Sequence, residues 1–348
     1  MPSNNHWVTS LQYAKVSKDK AEALKRFLLE QALFAKGYPV KASEGCVMFP
    51  IKDPDPVLNA FPEVAIENLD VKKRPELDLR AILKQKLTEE QLALLPSGFD
   101  TIGTIAILEL PKELADKGRE IGEAILKLHK NIRTVVAKAS KHQGEFRLQQ
   151  YEVLAGKPTF ETMHKENGVR LKLDISKVYF TPRLAGERLR IARQVKPGER
   201  VLVMFSGAGP YPCVIARNSK AKEIIGIELN PVAHNYAVVN KNLNKLHNFT
   251  PIQGDVREVV PKLNQVFDRI LMPLPKTGEH FLDCALRAAK NGTIIHFYDF
   301  QPEQEFPKAT IAKVKRAIKP KEFEVLNGVV CGSYAPGINR VCLDFRLK

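Results

Sequence analysis

This 348-residue chain is short of acid: 39 Asp and Glu stand against 54 Lys and Arg, a formal net charge of +15. Long apolar runs are also missing. None approaches the roughly 20 residues that span a bilayer, which excludes a helical membrane anchor. The opening Met1-Pro-Ser-Asn-Asn-His-Trp7 lacks the basic-then-apolar order of a signal peptide, so the expectation is a cytoplasmic protein. Cysteine is sparse and badly spaced for cross-linking. Cys46, Cys213, Cys284, Cys331 and Cys342 are odd in number, far apart and form no CxxC pair. That excludes a disulfide framework and a structural zinc site, and no metal is expected. No internal repeat or low-complexity tract is visible.

What is present is ordinary for a globular protein: 44% hydrophobic and 27% charged residues. The length predicts two or three domains. The basic excess points to a polyanionic partner, most simply nucleic acid. A lysine-rich proteome is the duller explanation, but there Glu rises with Lys, and here it does not. The excess is uneven. Residues 51–100 carry seven basic and ten acidic side chains, and residues 101–200 carry twenty and twelve, a net +8.

Three stretches differ in character. Up to about residue 65, Ser17 is placed to cap a helix reaching Leu33, and Cys46–Ile51 reads as a strand before the turn Lys52-Asp-Pro-Asp-Pro56. Residues 70–176 read as mixed α+β. Thr88-Glu-Glu-Gln91 opens a short helix, Ile102–Leu110 is a strand, Glu113–Leu128 a helix, and four strand-like runs follow. From 177 to the end, strands and helices alternate as in a doubly wound α/β sheet. The predicted elements there are helix Leu184–Gln194, strand Arg200–Phe205, strand Glu223–Leu229, helix Val232–Leu246, strands Phe249–Gln253 and Arg269–Met272, helix Gly278–Ala289 and strands Thr293–Phe297 and Arg340–Arg346.

The third stretch carries a cofactor pattern. Val201–Phe205 runs into Ser206-Gly-Ala-Gly209, and ligands of such sheets bind beyond the carboxyl ends of the strands. Glu228 ends the next strand, about twenty residues on, where a carboxylate accepts from ribose hydroxyls. Asp255 follows the third strand and is placed to accept from an adenine amino group. The alternative is that both acids merely cap helices. A dinucleotide site would show the full G-x-G-x-x-G, but its sixth position is Pro212. A nucleoside such as S-adenosylmethionine (AdoMet) fits better. The fourth strand ends in Pro273-Leu-Pro-Lys276, a rigid loop lacking two backbone donors.

The motifs together resemble a family. Phe146-Arg-Leu-Gln-Gln-Tyr-Glu-Val-Leu-Ala-Gly156, His164-Lys-Glu-Asn-Gly168, Thr181-Pro-Arg183, Gly186-Glu-Arg188, Met204–Pro210, Glu228-Leu-Asn-Pro231, Gly254–Glu258 and Leu274-Pro-Lys276 are similar to the archaeal and eukaryotic tRNA (guanine-37-N1)-methyltransferases. The resemblance implies a small N-terminal tRNA-recognition domain (1–65), an α+β middle domain (70–176) and a Rossmann-like class I methyltransferase domain (177–348). It implies methylation of guanosine N1 beside the anticodon, by a monomer that grips the anticodon stem-loop and the tRNA body. It implies Glu187 as general base and Arg147 as stabiliser of charge on guanine O6. Arg183, Phe205, Gly207, Gly209, Glu228, Leu229, Asp255, Val256, Pro273, Leu274 and Pro275 are implied to hold AdoMet. Tyr179 and Lys276 are implied to meet RNA, and Lys138, Lys141, His142 and Arg147 read as a phosphate track.

Two positions depart from the family pattern. Val203 stands where Asp is frequent, and Pro273 where Asn is usual. Loss of that Asn also marks an archaeal branch that methylates C7 of 4-demethylwyosine, and Tyr211–Arg217 looks like that branch. Bifunctional methylation therefore stays open. So do aminocarboxypropyl transfer to the same base and non-enzymatic tRNA binding.

Overall fold

The computed structural model describes residues 8–43, 45–72, 78–140, 144 and 146–348. The chain divides into two compact units, Met1–Ala81 and Ile82–Lys348.

The first unit is built on β1 (Val8–Ser17), α1 (Ala21–Glu30), β2 (Lys41–Ser43), β3 (Cys46–Pro50), α2 (Asp55–Ala60) and β4 (Ala65–Lys72). Its antiparallel sheet has the order β2-β3-β1-β4. Ser17 does not cap α1. It is held in the ladder opposite Cys46, so the helix starts only at Ala21, after Lys20, which gives no side-chain cap. Leu24 and Leu28 of α1 close over Ala14, Val16, Phe49 and Ile51. That burial, not capping, holds the helix.

α3 (Leu79–Leu83) straddles the boundary between the units, and α4 (Glu89–Ala93) is the first helix wholly within the second. The predicted capping box is present, with Thr88 and Gln91 bonding reciprocally. A four-stranded sheet follows in the order β5 (Asp100–Ile102), β6 (Ile105–Leu108), β7 (Thr134–Lys138), β8 (Tyr151–Gly156). The expected strand at 102–110 is thus a hairpin. The helix read at 113–128 is a 3-10 turn, Lys112–Lys117, leading into α5 (Gly118–Leu128). β9 (Glu161–Glu166) and β10 (Val169–Asp174) form a separate antiparallel pair.

The remainder is α6 (Ala185–Gln194), β11 (Arg200–Met204), α7 (Pro210–Asn218), β12 (Glu223–Glu228), α8 (Pro231–Leu243), β13 (Phe249–Gln253), α9 (Val256–Leu263), β14 (Phe267–Met272), α10 (Leu282–Arg287), β15 (Ala289–Pro302), α11 (Lys308–Ile318), β16 (Phe323–Ala335) and β17 (Ile338–Leu347). The seven strands take the order β13-β12-β11-β14-β15-β17-β16. The first five are parallel, and β17 runs antiparallel between β15 and β16. The reversal of order beside β11 is a topological switch point. This is the Rossmann-like doubly wound sheet that the alternation predicts.

The pleat explains both faces. Val201 and Val203 of β11 point into a core shared with α6, α7, α8, β10 and the four-stranded sheet. Leu202 and Met204 point the other way, into a core with α9, α10 and α11. A parallel strand covered on both faces must be continuously apolar, and residues 201–204 are all fully buried. Val203 is therefore a core residue here. All five cysteines are free, and Cys213, Cys284 and Cys342 are buried. Among the described residues no helix is long and apolar enough to cross a membrane.

Candidate active site

At the carboxyl end of β11 the backbone turns sharply. Phe205 has φ +60°, unusual for an aromatic side chain, and is followed by Gly207 at +57° and Gly209 at +82°. Gly209 is the N-cap of α7, whose prolines at 210 and 212 sit in the first turn, where a missing N–H costs nothing. A Cβ on Gly207 would meet nothing nearer than the Tyr179 carbonyl at 3.9 Å, so the turn is open. The Gly207 N–H donates to Glu228 Oε2 at 2.6 Å, and the Asn230 N–H donates to Oε1 at 2.8 Å. A carboxylate has about four acceptor sites, so two remain for a vicinal diol. Burial pushes the Glu228 pKa up against the pull of these N–H groups.

Asn230 joins this turn to the segment before α6. Its Oδ1 caps α8, and its Nδ2 donates to Lys177 O at 3.0 Å. Asp255 does cap α9, through Oδ1 and the Arg257 N–H at 2.8 Å. Val256 has its side chain in the core, leaving a first-turn N–H for a ligand. Leu229 is 37% exposed. Phe205 meets Phe281 edge-on at 4.9 Å, with the Arg257 guanidinium 4.2 Å over Phe281.

Glu187 lies in the first turn of α6, only 7% exposed. Arg190, one turn on, grips it with two bonds of 2.6 and 2.8 Å, and the Tyr298 hydroxyl donates at 2.6 Å. Burial holds the Tyr298 and Tyr211 phenols well above their ordinary pKa, so they remain donors. Arg190 also reaches Asp344 at 2.6 and 3.2 Å. Asp344 in turn accepts from His296 Nδ1 at 2.6 Å. Arg269 Nη1 lies 2.7 Å from His296 Nε2, which assigns the proton to Nδ1. Burial keeps that imidazole below its ordinary pKa, and Arg190 and His296 hold the Asp344 carboxyl far below its own. Cys342, His296 and Asp344 thus form a hydrogen-bonded cluster in which the Cys342 thiol, its pKa raised by burial, points at Asp344.

The sheet register lines these groups up. Phe300 pairs with Arg340, Tyr298 with Cys342 and His296 with Asp344, three rungs on one face. The outermost rung meets the second predicted catalytic residue. The Arg147 guanidinium sits 4.8 Å over the Tyr179 ring and 5.9 Å over Phe300. Arg340 donates to the Tyr179 hydroxyl at 2.8 Å.

Three family models match along the chain: the tRNA methyltransferase 5 N-terminal domain over residues 15–59, the TYW2 N-terminal domain over 79–159, and the TRM5/TYW2 methyltransferase domain over 162–326. The Pyrococcus abyssi tRNA (guanine(37)-N(1))-methyltransferase Trm5b is 38% identical across 96% of this chain and 98% of its own. The chain belongs to the TRM5/TYW2 methyltransferase family. Nanoarchaeum equitans Taw22, a tRNA (guanine(37)-N(1))/4-demethylwyosine(37)-methyltransferase, is 34% identical over 69% of this chain and 98% of its own. Among solved structures, aTrm5 in complex with tRNALeu superposes with a TM-score of 0.69 at 35% identity, covering 97% of this chain and all of that one. Methanocaldococcus jannaschii Trm5 in complex with adenosine gives 0.64 at 32%, covering 97% and 99%.

Several motifs that carry the TRM5/TYW2 resemblance prove to be architectural. Glu166 holds Arg188 through two bonds of 2.5 and 2.6 Å, both side chains buried. Arg188 also donates to Thr181 O, and Asn167 to Ala185 O at 2.7 Å. His164 accepts from the Gly103 N–H and stacks edge-on with Phe180. These bonds fix the start of α6, and hence Glu187. The residues fit an adenosine-bearing cofactor: Glu228 keeps two acceptor sites, Gly207 leaves its side open, and the buried Ser206 hydroxyl has no partner.

Other expected residues stand apart from this network. Arg183 forms a fork with Asp100 at 2.9 and 3.0 Å, which raises its pKa, and Lys138 pairs with Glu109. Pro273 and Leu274 are half-buried, Pro275 is buried and Lys276 exposed, in a loop pinned by the Leu274 N–H on Met272 O at 2.8 Å. Lys141 and His142 lie outside the described residues. A concavity of about 600 Å³ lined by Lys165, Arg170, Arg217 and Lys245 shares no residue with the strand-tip site. Sequence reasoning missed Arg190, Asn230, Tyr298, Phe300, Arg340 and Asp344. Arg190 was accessible from its i+3 spacing to Glu187. Asn230 was accessible as the helix cap before Pro231 in the Glu228-Leu-Asn-Pro231 motif. Tyr298, Phe300, Arg340 and Asp344 depend on strand register, which has no local signal.

Proposed function

We propose that this chain is an AdoMet-dependent tRNA (guanine(37)-N(1))-methyltransferase in which Glu187 is the general base. The observation that carries the reading is the state of Glu187. Three donors occupy three of about four acceptor sites on a buried carboxylate, leaving one lone pair for a proton. Tyr298, which bonds Glu187, and Phe300, which bears on Arg147, are two residues apart on β15. Their side chains share a face at a spacing of about 7 Å. A guanine between them presents N1–H to Glu187 and O6 to Arg147.

When bound, AdoMet supplies an electrophilic methyl group. Glu228 would receive its ribose hydroxyls, Asp255 its adenine amino group, and the 205–209 turn and 273–275 loop would hold the rest. Glu187 takes the N1 proton as the nitrogen is alkylated, and Arg190 and Tyr298 hold the carboxylate meanwhile. Arg147 stabilises charge gathering on O6. Tyr179, Lys276 and the basic side chains around Lys138 meet the anticodon stem-loop. The enzyme acts as a monomer in the cytoplasm.

One departure favours a second activity. Pro273 removes a side-chain amide from the base edge, which suits a base whose Watson–Crick edge is altered, as in 4-demethylwyosine. The test is methylation of a tRNA transcript, and of one bearing 4-demethylwyosine, followed by nucleoside mass spectrometry. N1-methylguanosine from the first supports the main reading. C7 methylation of the second adds the bifunctional one, and an added aminocarboxypropyl mass replaces it. An AdoMet titration without binding would leave only a tRNA-binding protein.

A further inference from the structure

At the far end of the same sheet face, the Tyr334 ring lies on Phe300 with centroids 3.9 Å apart and planes tilted by 25°. Tyr334 is 53% exposed. Its position is built by a bulge. On β16, Ser333 pairs with Asn339 and Ala335 with Ile338, so Tyr334 has no opposite residue. An extra residue of this kind re-aims a side chain, and here the ring reaches across β17 to stack on Phe300 of β15. Phe300 is also approached by two guanidinium groups, Arg340 at 5.5 Å and Arg147 at 5.9 Å. Arg340 Nε is buried without a hydrogen-bond partner, while its Nη2 is committed to Tyr179. Tyr334 thus stacks on Phe300, Arg340 lies over Phe300, and Arg147 lies over both Phe300 and Tyr179, so the array continues into the proposed base site.

We propose that Tyr334, stacked on Phe300 and flanked by Arg340, is a platform for an unpaired nucleobase adjacent to the target guanosine. This rests on the methyltransferase reading above. Exposed aromatic faces interleaved with guanidinium groups bind single-stranded nucleic acid because every base has a π-face and every linkage a negative charge. To bring guanine 37 to Glu187, the loop must unstack it from its neighbours. A neighbour that loses its stacking partner gains one on Tyr334. The platform thus makes extrusion of the target less costly and selects loops over helices.

The experiment uses the full-length enzyme and tRNA transcripts with 2-aminopurine at nucleotide 36 or 38. Binding of the wild type quenches one of the two probes, since stacking on an aromatic ring quenches 2-aminopurine. Tyr334→Ala loses that quenching and raises KM for tRNA about tenfold, with kcat within twofold and AdoMet affinity unchanged. Tyr334→Phe and Tyr334→Trp retain both properties. Equal thermal melts for the four proteins exclude misfolding. If Tyr334→Ala quenches and binds like the wild type, the platform is wrong. It is equally wrong if Tyr334→Phe fails as badly as Ala, which would indicate a hydroxyl contact. A wild type that forms no N1-methylguanosine at position 37 would instead overturn the parent reading, independently of any Tyr334 result.

Discussion

At the scale of single residues, the proposed chemistry separates a carboxylate that takes a proton, Glu187, from one that must stay ionised, Glu228. Glu187→Gln keeps the volume and removes the base, and single-turnover methylation is expected to slow by about 10²–10⁴-fold with AdoMet binding intact. Arg147→Ala should lower the same rate without abolishing cofactor binding. If both variants turn over like the wild type, the assigned chemistry is wrong. Glu228 is the opposite case, because its two spare acceptor sites serve a ligand only while it is ionised. Its pKa is raised by burial, so acidification protonates it earlier than an ordinary carboxylate. AdoMet affinity measured by calorimetry is expected to weaken from a pH above the usual carboxylate range. Glu228→Gln should bind weakly at every pH and lose that dependence.

At the scale of elements, the decisive arrangement is one helix on one ladder. Glu187, Arg190 and Gln194 of α6 stand at i, i+3 and i+7 and meet Tyr298 and Asp344 of two neighbouring strands. Asp344→Asn loosens the grip on Arg190, and through it Glu187 is misplaced. Methylation is expected to fall about 10- to 100-fold with unchanged AdoMet affinity, and the acid limb of the rate profile should shift. The ladder also makes the fold acid-sensitive. His296 is held neutral below its ordinary 6.5, so only the unfolded chain gains that proton as pH falls through 6.5. Asp344 adds its own loss below 3.8, where the unfolded carboxyl protonates first. Glu228 works in the other direction, its raised pKa easing a burial cost on acidification. A melting temperature that drops between pH 7 and 5, and drops less in His296→Gln, is the expected signature. Breaking the Glu166–Arg188 pair by Arg188→Ala strands a buried charge and is expected to cost about 3–5 kcal/mol in denaturant unfolding.

These elements also show what a sequence discloses and what it withholds. The parallel half was legible because each strand is a continuous apolar run with a turn at its tip, as in 201–209. β16 was not read at all. It is an edge strand, mostly exposed and broken by three register shifts, so neither alternation nor apolarity marks it. β15 extends five residues past its apolar centre only because β17 pairs with it there. Glu228, Asp255 and the glycines were found from order and spacing. Tyr298 and Asp344 were not, since Tyr298 reaches Glu187, and Asp344 reaches Arg190, across more than a hundred residues of chain.

At the scale of the whole molecule, the surplus of 15 positive charges is a property of association rather than of fold. Affinity for tRNA is expected to fall on the order of 100-fold between 50 and 200 mM salt, while AdoMet affinity hardly moves. Filter binding at several ionic strengths measures the slope, and a flat line would mean the charge is idle. The free cysteines have a practical consequence of another kind. Burial raises the pKa of Cys213, Cys284, Cys331 and Cys342, starving each of the thiolate that maleimides attack. Cys46, on β3 of the first unit, is the remaining thiol. A maleimide fluorophore is therefore expected to label the native enzyme chiefly at Cys46, and a change in its anisotropy on adding tRNA would test whether the first unit meets the RNA.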